Sequence, residues 1–125
     1  MLPAGAAFLP ENVPASTPWV PMASQPSGFD LDEPHASVSD LADAFGAAIL
    51  ASSAQPADRP QLSLDVIDEK PDSALLLVSE IGLGDDSVAG RQYALVVTHE
   101  SGRWRLDELW TRALCARGVS GRLCV

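Results

Sequence analysis

The chain has 125 residues, 46% of them apolar, and a formal net charge of −9 at pH 7. That length fits one domain. The charge argues against a nucleic-acid partner, whose phosphates call for Lys and Arg, and against an anionic membrane surface.

Residues 1–35 read as a disordered, proline-rich tail or linker. Seven of the ten prolines fall there, among Ser, Thr and Gly. Proline locks φ and has no amide donor, so neither a helix nor a central strand is expected at that density. Trp19, Val20, Met22 and Phe29 are apolar enough for parts of it to pack on the domain. The opening MLPAGAAFLP has no basic n-region and holds two prolines, unlike a signal peptide. Taken as it stands the chain reads as cytoplasmic. An upstream start carrying an export signal would make it extracytoplasmic or secreted, and the linker-like composition suits that reading.

The folded domain is expected over residues 36–125. Val38, Leu41, Ala42, Phe45, Ala48 and Ile49 fall on one face of an α-helix. Ser37 is its N-cap, with Asp40 three residues on. Pro56 and Pro60 stop it. Residues 62–66 then alternate as a half-buried strand. Residues 70–73 (KPDS) form a turn. Residues 74–81 (ALLLVSEI) read as a central strand, apolar on both faces at its start. Residues 82–90 (GLGDDSVAG) make a glycine-rich loop and residues 91–98 (RQYALVVT) a third strand. Residues 100–103 (ESGR) form a hairpin turn. Residues 104–114 (WRLDELWTRAL) read as a fourth strand, with Trp104, Leu106 and Trp110 assigned to one face; a helix is the rival reading, and the preceding turn and the aromatic spacing favour the strand. The expected fold class is α+β: one N-terminal helix on a curved four-stranded antiparallel sheet, joined by short connections.

Chemistry-bearing residues are few. Cys115 and Cys124 flank a segment with two glycines that eases a reversal, so they can form a disulfide in an oxidising compartment, worth about 2–3 kcal/mol by loop entropy. In the cytoplasm they would stay two free thiols. A zinc site needs four ligands, and His35 and His99 lie far apart in sequence. The spacing is not that of a C-x-x-C redox pair. Asp85 and Asp86 in the glycine-rich loop lack the alternation of a calcium loop and the Lys of a P-loop, so they read as turn residues. Cys115, His99 and an Asp can be drawn as a nucleophilic set, but nothing in the spacing fixes their geometry. Arg103, Arg105, Arg112, Arg117 and Arg122 make the C-terminal end locally basic, an anion site if they converge. Trp104, Trp110, Arg105 and Arg112 are the candidate ligand-facing residues.

The closing YALVVTHESGRWRLDELW, with Gly102-Arg103-Trp104-Arg105-Leu106, resembles the last hairpin of cystatin-like and NTF2-like α+β domains. The ending, Cys115-x-Arg117-Gly118-Val119 with Cys124-Val125, resembles uncharacterised secreted or lipoprotein-type proteins of actinobacteria. Seven arginines to one lysine suit such a source. The chain offers less helix than an NTF2-like cone and no matching interior Asp, His or Tyr, so the resemblance carries over no catalytic residue. It implies a non-enzymatic extracytoplasmic accessory domain, without cofactor or metal, binding a partner protein or small ligand on its sheet face. The alternative is a small NTF2-like enzyme with a carboxylate general base, Asp107 or Glu108, turned inward between the two tryptophans.

Overall fold

The computed structural model describes residues 2, 8–10, 13–22, 33–52, 61–82 and 87–125. In chain order these form β1 (Ala15–Ser16), β2 (Val20–Pro21), α1 (Val38–Ser52), β3 (Gln61–Glu69), β4 (Ser73–Ile81), β5 (Val88–Glu100), β6 (Arg103–Cys115), β7 (Val119–Ser120) and β8 (Leu123–Cys124). The helix starts where its cap lies: the Asp40 amide donates to Ser37 Oγ at 3.1 Å. The tip between β5 and β6 has Ser101 at φ 55° and Gly102 at φ 79°. Two positive φ values are what a two-residue hairpin turn of matching twist requires.

The expected helix on a four-stranded sheet is corrected. The protein is mostly strand, and among the described residues its curled antiparallel sheet has six strands. β6, β5, β4 and β3 lie side by side in that order, and β1 and β2 both pair with the outer edge of β6. These two extra strands come from the segment expected to be a disordered tail. Ala15 pairs with Cys115, and Val20 with Thr111. Pro18 interrupts the run without a backbone donor, and the Thr17 side chain repairs the gap. Its Oγ1 accepts the Ala113 amide at 2.8 Å, while the Thr17 amide donates to the Ala113 carbonyl at 2.9 Å. Pro21 is tolerated because it lies on an outer strand. Farther along, His35 exchanges two 2.7 Å backbone bonds with Trp104. The proline-rich segment therefore seals one edge of the sheet.

The strand register assigns the faces. Leu76, Val78, Tyr93, Leu95, Val97, Leu106 and Leu109 meet Leu41, Phe45 and Ile49 of α1 in the main core. Phe45 packs edge-on against Tyr93, centroids 5.4 Å apart, a geometry aromatic quadrupoles favour. The opposite face carries Leu75, Leu77, Ala94, Ser79, Gln92 and Arg112, all buried as well. Phe8 and Trp19 lie against it: Gln92 donates to the Phe8 carbonyl, and Arg112 stacks on Trp19. The proline-rich segment is thus also part of a third layer.

One register detail reverses an expectation. Between Val96 and Val97, β6 carries an extra residue: Glu108 pairs with Val96 but Leu106 with Val97, leaving Asp107 as a bulge. A bulge shifts the alternation by one. Trp104 and Leu106 stay on the helix side, and Trp110 passes to the opposite face.

Cys115 and Cys124 are joined as a disulfide, their Cα atoms 5.1 Å apart. It ties the β7–β8 hairpin back to the end of β6. Cys115 is fully buried and Cys124 is not, so Cys124→Ser opens the ring with little disturbance of packing. The variant is expected to lose about 2–3 kcal/mol of stability in urea melts under non-reducing conditions, and reductant should bring the parent chain to the same midpoint while leaving the variant unchanged.

Candidate functional site

The sequence-derived candidates are dispersed. Trp104 is half-buried at the margin of the helix-side core and stacks on His99, centroids 4.9 Å apart. Trp110, on the other face, donates from Nε1 to Glu108 Oε1 at 3.3 Å. Arg105 is exposed, and its Nη2 contacts Glu100 Oε2 at 3.3 Å. Arg103 and Arg105 line a shallow hollow with Pro34 and Glu100 at the hairpin tip, whereas Arg117 and Arg122 are exposed beyond the other end of β6. The arginines do not converge. Asp107 and Glu108 are both exposed, and the two tryptophans that were to enclose them lie on opposite faces. Cys115 has no thiol to offer as a nucleophile, because it is bonded to Cys124. Asp85 and Asp86 lie outside the described residues. No cluster of three His, Cys, Asp or Glu side chains forms among the described residues.

Arg112 is the surprise among these. It is only 2% exposed. Its Nε donates to Gln92 Oε1 at 2.7 Å, and Gln92 Nε2 donates to Ser79 Oγ at 3.1 Å and to the Phe8 carbonyl at 2.8 Å. The guanidinium carbon sits 4.5 Å from the centre of the Trp19 ring, cation–π distance. Burial holds the Arg112 pKa below the ordinary guanidinium value. Gln92 uses its side-chain carbonyl oxygen and both protons of its amide nitrogen to join β4, β5, β6 and the N-terminal segment. Such a satisfied network fixes the position of the third layer. Sequence reasoning passed over Gln92 and Ser79. Their signal was a polar residue inside an otherwise apolar strand.

A second polar group lies on the helix side. Glu80 is buried, and the Tyr93 hydroxyl donates to its Oε1 at 3.4 Å. Burial, then the Glu80 charge, pushes the Tyr93 phenol up to about 12, with Arg91 opposing. Next to this pair, a Cβ on Gly90 would overlap the Glu80 carbonyl oxygen, so only glycine allows β5 and β4 to approach there.

The open surface lies elsewhere. Both faces of the central strands are covered, but α1 does not reach across β3. A groove of ≈ 360 Å³ runs between them, lined by Ala42, Gly46, Ala47, Leu50, Leu62, Leu64 and Val78, with Asp43 and Ser63 as its polar members. Gly46 keeps it shallow at the middle, since a Cβ there would touch Leu62 at 3.4 Å. Leu64 is 43% exposed and Val66, beside it, 49%. Contiguous exposed apolar side chains of this kind mark contact surfaces. On the other side of β3 a second cleft, ≈ 350 Å³, lies between Phe8, Leu9 and Pro10 and the strand residues Ser63, Asp65, Val66 and Ile67.

No family model, curated protein or solved structure matches the chain.

Two outcomes test the polar groups. Tyr93 is the only tyrosine, so ultraviolet titration reads it directly: ionisation is expected near pH 12 in the folded protein and near pH 10 in denaturant. Because the folded pKa is the higher one, stability should be intact below pH 10 and fall as pH rises from 10 to about 12; Tyr93→Phe should flatten that slope. On the other face, Gln92→Leu and Arg112→Met are each expected to cost about 1–3 kcal/mol. In a urea double-mutant cycle the pair should be non-additive by about 1–2 kcal/mol. Strict additivity would mean that the 2.7 Å bond contributes nothing to the folded state.

Proposed function

We propose that the protein is a non-enzymatic binding domain working outside the cytoplasm, and that it holds its partner along the α1–β3 margin rather than on the centre of the sheet. The observation that carries this reading is the groove itself. It is open and apolar, and beside it Leu64 and Val66 are exposed on a strand whose neighbours are packed. What it offers a partner is apolar contact framed by a few polar atoms, the usual make-up of a recognition site. The buried polar side chains lie within the layers instead. Gln92 and Arg112 bind each other, and Glu80 accepts from Tyr93. The alternative, a small enzyme with a carboxylate general base between the tryptophans, draws no support from Asp107 and Glu108, which face solvent.

Two features support a location outside the cytoplasm. The disulfide is of a type that persists in oxidising compartments. The Cys115-to-Val125 ending resembles secreted and lipoprotein-type proteins. No helix of the described residues is long and apolar enough to cross a membrane.

A photo-crosslinking side chain at position 64 or 50, introduced in the native host, is expected to give a defined adduct. The same group at Glu100 on the exposed hairpin tip should give none. Adducts of equal yield at all three positions, or at none, would overturn the site. Alkylation of the chain purified from that host is expected to find no free thiol, and two free thiols would overturn the compartment.

A further inference from the structure

The sheet has two edges, treated differently. The β6 edge is closed by β1, β2 and the His35–Trp104 bridge. On the other edge, β3 pairs only with β4 among the described residues. Among the described residues, the outward-facing backbone groups of β3, those of alternate residues along its length, are therefore unpaired, between two clefts, one on each face. An unpaired edge is a template for an incoming strand.

Successive side chains of a strand added there would enter the two clefts in turn. Register with β4 places Leu62, Leu64 and Val66 on the helix side, and Ser63, Asp65 and Asp68 on the other. Opposite Leu62 and Leu64 an incoming side chain meets the apolar groove. Opposite Ser63 and Asp65 it meets the second cleft, whose carboxylate is Asp65, with Asp68 farther along the same face. Asp65 and Asp68 are both exposed, and Asp68 has only a 3.8 Å contact with the equally exposed Lys70. The clefts thus ask for opposite chemistry at alternate positions, against the background of a chain with net charge −9.

We infer that the β3 edge captures an extended segment of a partner protein in which apolar and basic residues alternate, adding it to the sheet as a further antiparallel or parallel strand. The inference rests on the binding-domain reading and specifies its partner. A second copy of this chain fits poorly. In the full-length antiparallel register, Asp65 would lie opposite Asp65 of the copy, and like charges directly across a ladder repel.

The test uses the full chain and three labelled peptides of about the length of β3: alternating valine and lysine, alternating valine and glutamate, and a valine–lysine peptide with prolines at the lysine-side positions. Fluorescence anisotropy is expected to show saturable binding of the first alone, weakening with salt. Hydrogen exchange should slow at β3 amides on binding. Asp65→Lys is expected to weaken the valine–lysine peptide by about five- to tenfold and to admit the valine–glutamate one. Leu64→Lys should weaken the valine–lysine peptide as well. Both positions are exposed, so the variants should fold, and unchanged urea midpoints check that. Equal binding of the proline peptide would overturn strand addition. Binding indifferent to Asp65→Lys would overturn the charge pattern. A concentration-dependent dimer with slowed exchange at β3 would make the occupant a second copy and overturn the partner. If the peptides fail while the position-64 crosslink forms, the inference falls and the binding reading stands; if both fail, both fall.

Discussion

Leu75, Leu76 and Leu77 are consecutive on one strand and all buried. Side chains of a strand point alternately to its two faces, so β4 must be covered on both. One helix of fifteen residues can cover only one. The remaining face needs another layer, and a chain of this size has little left with which to build it. The proline-rich N-terminal segment meets part of the need. It supplies Trp19 over Arg112 and the Phe8 carbonyl over Gln92, and it pairs with β6 on the way. A continuous helix or wide strand would have demanded amides that these prolines lack. A segment that touches down in two-residue strands demands few.

The same requirement explains why Gln92 and Arg112 are buried. A third layer held only by apolar contact could slide along the sheet, because dispersion and burial are not directional. Hydrogen bonds are directional. Gln92 has one acceptor and a two-proton donor, and the structure uses both, toward Arg112, Ser79 and Phe8. Desolvation disfavours the charged guanidinium, and the Trp19 face and the Gln92 carbonyl offset part of that cost. A fixed layer is gained at the expense of some stability, the balance generally seen when polar groups are buried.

The helix and the four long strands were legible because each follows one period, 3.6 or 2, over many residues. The α1 stripe and its Ser37 cap lie as the pattern implies. Fold class was less legible, because β1 and β2 leave no periodic trace: two residues cannot show a period, and proline density reads as disorder. The bulge at Asp107 was hidden for a related reason. Alternation identifies faces only while the register holds. A trace did exist, since Leu106 and Leu109 are three apart on one face, with two adjacent acids between them where strict alternation would put the next apolar residue at 108. The tryptophans were therefore counted as one surface when they are two. The groove could not be seen at all in one dimension. It exists because α1 ends short of β3, a fact of tertiary placement, although exposed Leu64 and Val66 looked like ordinary core positions of a half-buried strand.

The contrast between the two sheet edges follows from these placements. An edge strand is commonly blunted by a bulge, a charge or a covering segment. β6 has the covering segment. β3 has a bulge at Ile67 and acids at 65, 68 and 69, yet it lacks the proline and the lysine that would block pairing within its central residues. Acids protect an edge well against other acidic chains, including copies of this one, and poorly against a basic strand. Protection by charge is therefore selective where protection by covering is not. On the proposed strand-capture reading, a protein with net charge −9 whose β3 edge is guarded by a bulge and carboxylates rather than by a covering segment selects strands by their charge, and the apolar side chains at positions 62 and 64 give the admitted strand something to bury.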